Sequence, residues 1–381
     1  MSHAPADALR QRHQGIRAEL AARQLDALVV TSLPNVLYLT NFTGSTAVVV
    51  LTAAGLHFLT DFRYVTVMNE VRDTPYGCPD LELVTVDGSY DGALAKLLGS
   101  LKLGRVGFEG AHVTVSRHAW LADVLARERA GAAPSLIATE GLVERARLYK
   151  DEYEVRTLRE AARRLSVVAE AVLGDVRAGR TEREMALAID WRIRQGGFER
   201  SAFETIVASG PNGARPHARP GERMFSEGDV VVLDFGGVYD SYCVDLTRTV
   251  SVGRASGRAR EVYDAVREAH DSAIRAVAPG RSRFDIDAAA RRVLGERGLA
   301  EAFGHGTGHG LGIEIHEDPR IARRRPDADT RDENVAPGMV FTIEPGAYLP
   351  DWGGVRIEDD VLVTQSGVEV LTDVTTELLE V

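Results

Sequence analysis

The chain has 381 residues, enough for two domains of ordinary size, and 44% of them are apolar. A formal net charge of −11 argues against a general affinity for nucleic acid or anionic lipid. Two cysteines, Cys78 and Cys243, leave no material for a disulfide framework and fit a reducing compartment. The opening segment MSHAPADALRQRHQG lacks a signal-peptide core, and no run of about 18 apolar residues occurs. The expected location is the cytoplasm, with neither membrane nor nucleic acid as partner.

Leu9, Ile16 and Leu20 recur at helical spacing and predict a helix over 8–23. Strands are expected at 27–30, 46–52, 56–60, 81–86, 104–108 and 135–139, and helices at 61–72, 90–98 and 117–129. The alternation implies an α/β layered domain with a mixed sheet, over residues 1–140. A long amphipathic helix is expected over 152–177. A second helix starts near Thr181, where TERE offers a capping box from Thr181 to Glu184. Strands follow at 203–209, 229–239 and 243–252, then helices at about 257–277 and 283–297. LGIEIH, MVFTIEPGAY and VRIEDDVLVT close the chain as strands. Helices set apart from an antiparallel sheet make residues 141–381 an α+β domain. The charged segment 321–338 reads as an exposed loop.

Five residues of this second domain have the chemistry of metal ligands. Hard divalent cations prefer carboxylate oxygen, and borderline ones also accept imidazole. Asp234 stands in VVVLDFGG and Asp245 in YCVDLTRT, with GGVYDSY between them as a hairpin connection that can bring both carboxylates side by side. Glu344 in MVFTIEPGAY and Glu358 in GGVRIEDDVLV repeat the pattern of an acid after an apolar run. His309 stands among glycines in GHGTGHGLG, where backbone can approach closely. A single aspartate in a strand is more often a hydrogen-bonded polar residue than a ligand. Several buried carboxylates together cost too much unless a cation compensates them.

These five residues, in this order and in these contexts, resemble the metallopeptidase family with the pita-bread fold, which includes methionine aminopeptidase, aminopeptidase P and prolidase. The resemblance covers about residues 145–381. His217 in SGPNGARPHARP and His316 in IHEDPR resemble the substrate histidines of the proline-specific branch. Arg320, His305, Tyr348 and Arg356 match further positions for substrate or proton handling. An N-terminal domain carrying PNVLYLTNFTGS and LTDFRYV, similar to the creatinase-like domain of proline-specific enzymes, points the same way. The resemblance implies two divalent ions per chain, manganese, cobalt or zinc. Asp245 and Glu358 would bridge them, Asp234 would complete one shell, and His309 and Glu344 the other. It also implies a homodimer. Glu344 would move the proton, His316 would stabilise the oxyanion, and His217 and His316 would shape the pocket for proline.

The expected substrates are small peptides with proline in second place. A dipeptide carries a carboxylate directly after the proline ring, and Arg323, Arg324, Arg325 and Arg331 stand close to His316 in sequence. This favours a prolidase. An aminopeptidase P acting on longer peptides is the alternative, and a binding protein that kept the fold without catalysis is a distant one. Arg320 could equally be a surface charge, and the loop arginines could pair with Asp327, Asp329 and Asp332.

Overall fold

The structure, a computed structural model, describes residues 3–128, 133–324 and 333–381. It divides into two compact units, Met1–Arg147 and Leu148–Val381. The division falls seven residues beyond the expected 140, because the helix Leu142–Leu148 is tied back to the first unit. Asn35 donates to Glu144 at 2.6 Å and accepts from Arg147 at 2.8 Å.

In the first unit the β-prone runs form a six-stranded sheet. Its order is Leu81–Thr85, Leu56–Thr60, Val48–Thr52, Ala27–Val30, Arg105–Glu109, Ser135–Thr139. The two pairings that involve Val48–Thr52 are antiparallel, and the other three are parallel. This is the mixed sheet that the alternation implied. The helix Ala6–Ala22 buries Leu9, Ile16 and Leu20, the three positions that predicted it. The helix Leu33–Thr40 had no sequence expectation. Pro34 lies in its first turn, where a missing N–H costs nothing.

In the second unit the helix Glu152–Leu173 opens on a capping box between Asp151 and Glu154. The helix Glu182–Gln195 opens on the predicted box between Thr181 and Glu184. The strands Val230–Tyr239 and Tyr242–Ser251 pair along their full length. GGVYDSY is therefore not a loose connection. Only Asp240 and Ser241 leave the ladder, both at positive φ (48° and 67°), as a tight two-residue turn requires. A second antiparallel sheet runs in the order Glu317–Ile321, Gly308–Gly310, Val340–Ile343, Asp359–Val363, Val368–Val370. The strands Gly346–Leu349 and Gly353–Arg356 pair separately. Val266, Ile286, Phe341 and Ile357 share the core between these strands and the helices Gly257–Ala276 and Arg283–Glu296.

Three strand expectations are corrected. LGIEIH is a bend, because local bonds capture its backbone: Gly312 N–H donates to Glu314 O, and Glu314 N–H to the Glu317 carboxylate. MVFTIEPGAY splits into Val340–Ile343 and Gly346–Leu349, since Pro345 has no N–H to continue a ladder. VRIEDDVLVT splits at Ile357–Glu358, where Ile357 N–H donates to Pro345 O and Glu358 N–H to Thr247 O. The segment 333–338 is not an exposed loop. Val335 is buried in the core and exchanges backbone bonds with Gly280 and Arg281.

Candidate metal centre

Strand register explains why the two aspartates meet. Asp234 lies opposite Thr247, and Asp245 lies opposite Gly236. Directly paired residues share a face and side chains alternate along a strand, so Asp234, Asp245 and Thr247 point to one side. The two glutamates stand at the two strand breaks described above. Glu344 N–H donates to Thr307 O at 2.7 Å and Glu358 N–H to Thr247 O at 3.1 Å, so each break is held against a neighbouring segment. Thr247 Oγ1 also donates to Glu358 Oε2 at 2.5 Å.

His309 sits between two glycines that cannot be replaced without moving it. A Cβ on Gly308 would lie 1.8 Å from Thr342 O, and one on Gly310 would lie 2.0 Å from Asp318 O. His309 Nδ1 lies 3.0 Å from Gly310 O, which assigns its proton to Nδ1 and leaves the Nε2 lone pair facing the acids. Nε2 is 3.7 Å from Glu344 Oε1 and 3.9 Å from Asp245 Oδ2. Burial lowers the His309 pKa to about 3, so the ring is the neutral form that binds metals.

Asp245, His309 and Glu358 each offer a ligand atom, all within 4.8 Å of one another. Burial, then the neighbouring acids, raises Asp245 and Glu358 well above the ordinary carboxylate range, and burial raises Glu344 to about 7. Asp245 Oδ1 is buried without a hydrogen-bond partner. One neutral imidazole among crowded carboxylates, with one buried carboxylate oxygen left without a donor, fits a divalent cation of the hard-to-borderline class.

A chain of hydrogen bonds runs along one side of this cluster. Arg356 contacts Asp234 Oδ2 through Nη2 and donates from Nη1 to the Tyr348 hydroxyl at 2.7 Å. The hydroxyl in turn lies 2.9 Å from His305 Nε2, and His305 Nδ1 lies 2.8 Å from Gly306 O. With the His305 proton on Nδ1, Tyr348 donates to His305 and accepts from Arg356. Burial, then Arg356, lowers the His305 pKa to about 4 and keeps that ring neutral.

A cavity of about 860 Å³ is lined by all five metal-ligand candidates and by His217, His305, His316, Arg320 and Arg356. Tyr348 does not line it; the side chain is buried and reaches the site through Arg356 and His305. His316 stacks edge-on against His309, with ring centroids 4.4 Å apart. Arg320 pairs with His309 across the ladder, so both side chains stand on the cavity face. Arg323 lines the cavity as well. Arg324 is engaged elsewhere, paired with Glu333 and stacked on Phe284. Arg325, Arg331, Asp327, Asp329 and Asp332 lie outside the described residues.

Sequence reasoning passed over the support beneath the site. Arg248 is fully buried and donates to the carbonyls of Thr247, Glu358, Val374 and Thr375 and to the Asp359 carboxylate. His270 and Thr372 complete the Asp359 shell. Asp360 accepts the Asp245 N–H at 3.0 Å. An arginine in the middle of a β-prone strand run, DLTRTVSV, was the available signal.

Residues 156–365 match metallopeptidase family M24, and residues 12–149 match the creatinase/prolidase N-terminal domain. An Xaa-Pro dipeptidase of Pyrococcus furiosus is 39% identical over 63% of this chain and 67% of its own. The structure of an Xaa-Pro dipeptidase from Bacillus anthracis superposes with a TM-score of 0.89 at 35% identity, covering 98% of this chain and all of that one. An X-Pro aminopeptidase from Thermotoga maritima gives 0.84 at 31% identity over 94% and 98%. The chain belongs to metallopeptidase family M24. It is a metallopeptidase of the prolidase type, with a creatinase-like N-terminal domain and a C-terminal domain of the pita-bread fold.

Proposed function

We propose that the cavity hydrolyses the peptide bond before proline in Xaa-Pro dipeptides, with two divalent ions, manganese by expectation, held by the five ligands. The observation that carries this reading is the convergence of those ligands with His217, His316 and Arg320 on one cavity. Asp245, His309 and Glu358, with Asp234 and Glu344 on the same cavity, would hold the ions. The ions supply the Lewis-acid charge that makes water a nucleophile at neutral pH. Glu344 takes the proton of the attacking water and delivers it to the departing secondary amine. His316 acts as a neutral donor to the developing oxyanion, since burial, Arg320 and His217 all lower its pKa. His217 and His316 flank the proline ring. Arg320 receives the dipeptide carboxylate; its guanidinium has no acidic partner among the described residues.

The cavity volume favours one second reading. A space of about 860 Å³ exceeds what a dipeptide fills and suits an aminopeptidase acting on longer peptides. Comparing kcat/KM for Ala-Pro, Ala-Pro amide and Ala-Pro-Ala with manganese decides between them. The dipeptidase reading expects Ala-Pro to be cut best. Equal or better cleavage of the amide and tripeptide overturns it and leaves the metal chemistry intact.

A further inference from the structure

Glu182 is the first residue of the helix Glu182–Gln195 and is fully buried. A carboxylate in that position is tolerated only when its oxygens are satisfied. The donors to its side chain among the described residues all come from one stretch of chain. Oε1 accepts from Ser209 N–H at 2.8 Å, from Ser209 Oγ at 2.7 Å and from Asn212 Nδ2 at 3.0 Å. Oε2 accepts from Asn212 Nδ2 at 3.1 Å and from Gly221 N–H at 3.1 Å. Ser209 and Gly221 are the two ends of the segment that carries His217. One side chain therefore closes this loop at its base.

His217 needs such support from outside. Its ring has no hydrogen-bond partner among the described residues, and it stands exposed at the cavity wall. Its position is set by the backbone on either side. Arg356 Nη1 donates to Pro216 O at 3.3 Å, and Ala218 packs on Ala208 and Val232. Those contacts hold the middle of the loop, while Glu182 holds its ends.

We propose that Glu182 is a positioning residue for His217, acting on catalysis through the loop 209–221 and not by contact with substrate. This rests on the reading of His217 as a substrate-binding residue given above. Glutamine at 182 keeps the volume but brings its own N–H donors. Whichever way the amide turns, its NH₂ faces either Ser209 N–H or Gly221 N–H, so one end of the loop is released. A purely structural role, a buried acid at a helix start, would lower stability without coupling to His217.

The test is a double-mutant cycle on Ala-Pro hydrolysis with manganese, using E182Q, H217A and the double variant, with bound metal measured in each. Misplacement of a substrate-positioning group by about 1 Å costs about a hundredfold, so E182Q should lose kcat/KM on that order. Metal content should stay at the wild-type level, and the double variant should be no slower than H217A alone. Wild-type kcat/KM in E182Q, or losses that multiply in the double variant, overturn the proposal. If E182Q does not fold, Glu182→Asp, whose shorter side chain keeps the charge but cannot reach Ser209 and Gly221 together, enters the same cycle with the same two outcomes. A wild-type H217A is a different failure: it overturns the substrate role of His217 itself, and the positioning proposal with it.

Discussion

Asp245 is buried among other acids, and one of its oxygens finds no donor. Asp245→Asn removes the charge that a cation needs while keeping the shape. It should abolish turnover and release bound metal, as elemental analysis of the purified variant would show. His316 lies at the cavity wall and coordinates nothing in the proposed scheme. His316→Ala should therefore leave metal content unchanged and raise the barrier by about 2.7–4 kcal/mol, the usual loss for one oxyanion donor, read from kcat. Glu344 allows a prediction of sign. In the chelated protein its folded pKa is raised to about 7, above the ordinary carboxylate value. Between the two values the folded state binds more protons, so this group's contribution stabilises at low pH and is lost as pH rises towards 7. In the chelated state, Glu344→Gln should stabilise the protein relative to wild type more at pH 7.5 than at pH 5, by urea titration. An equal effect at both pH values would count against a protonated Glu344 in the chelated protein.

The elements bring these residues together by simple geometry. A tight turn at Asp240–Ser241 sets the register that places Asp234 and Asp245 on one face, and two strand breaks project Glu344 and Glu358 towards them. Arg248 links the two groups, since it belongs to the hairpin and holds the Glu358 carbonyl and the Asp359 carboxylate. Removing one partner of a buried charge pair typically costs about 3–5 kcal/mol. Arg248→Met should lose stability on that scale in urea and weaken metal affinity through the freed Glu358 segment. Unchanged metal affinity in a destabilised variant would limit Arg248 to a packing role. Motifs around the acids were legible in sequence because each joins a polar residue to an apolar run. The breaks at Pro345 and Ile357 were not, because a β-prone run does not reveal that its ladder partner changes halfway.

At the scale of the molecule, the two units have separate cores, and every metal-ligand candidate belongs to Leu148–Val381. Manganese should therefore stabilise that unit selectively. At a free concentration a hundred times Kd, linkage gives about 2.7 kcal/mol per site. Calorimetry with and without manganese should show the transition of the second unit moving upward and that of the first unit staying in place. Parallel movement of both would contradict this. Periodicity, turn chemistry and apolar patterning by themselves determined the two-domain plan, the mixed sheet, the capping box at Thr181 and the four acids and one imidazole to watch. These are local or short-range properties, written in neighbouring residues. The tertiary structure alone decided that Glu182 closes the His217 loop, that Arg248 underpins Glu358, and that Tyr348 stands behind Arg356 and away from the cavity. Each of those joins residues far apart in the chain, and such a contact exists only once the strands have chosen their partners and register.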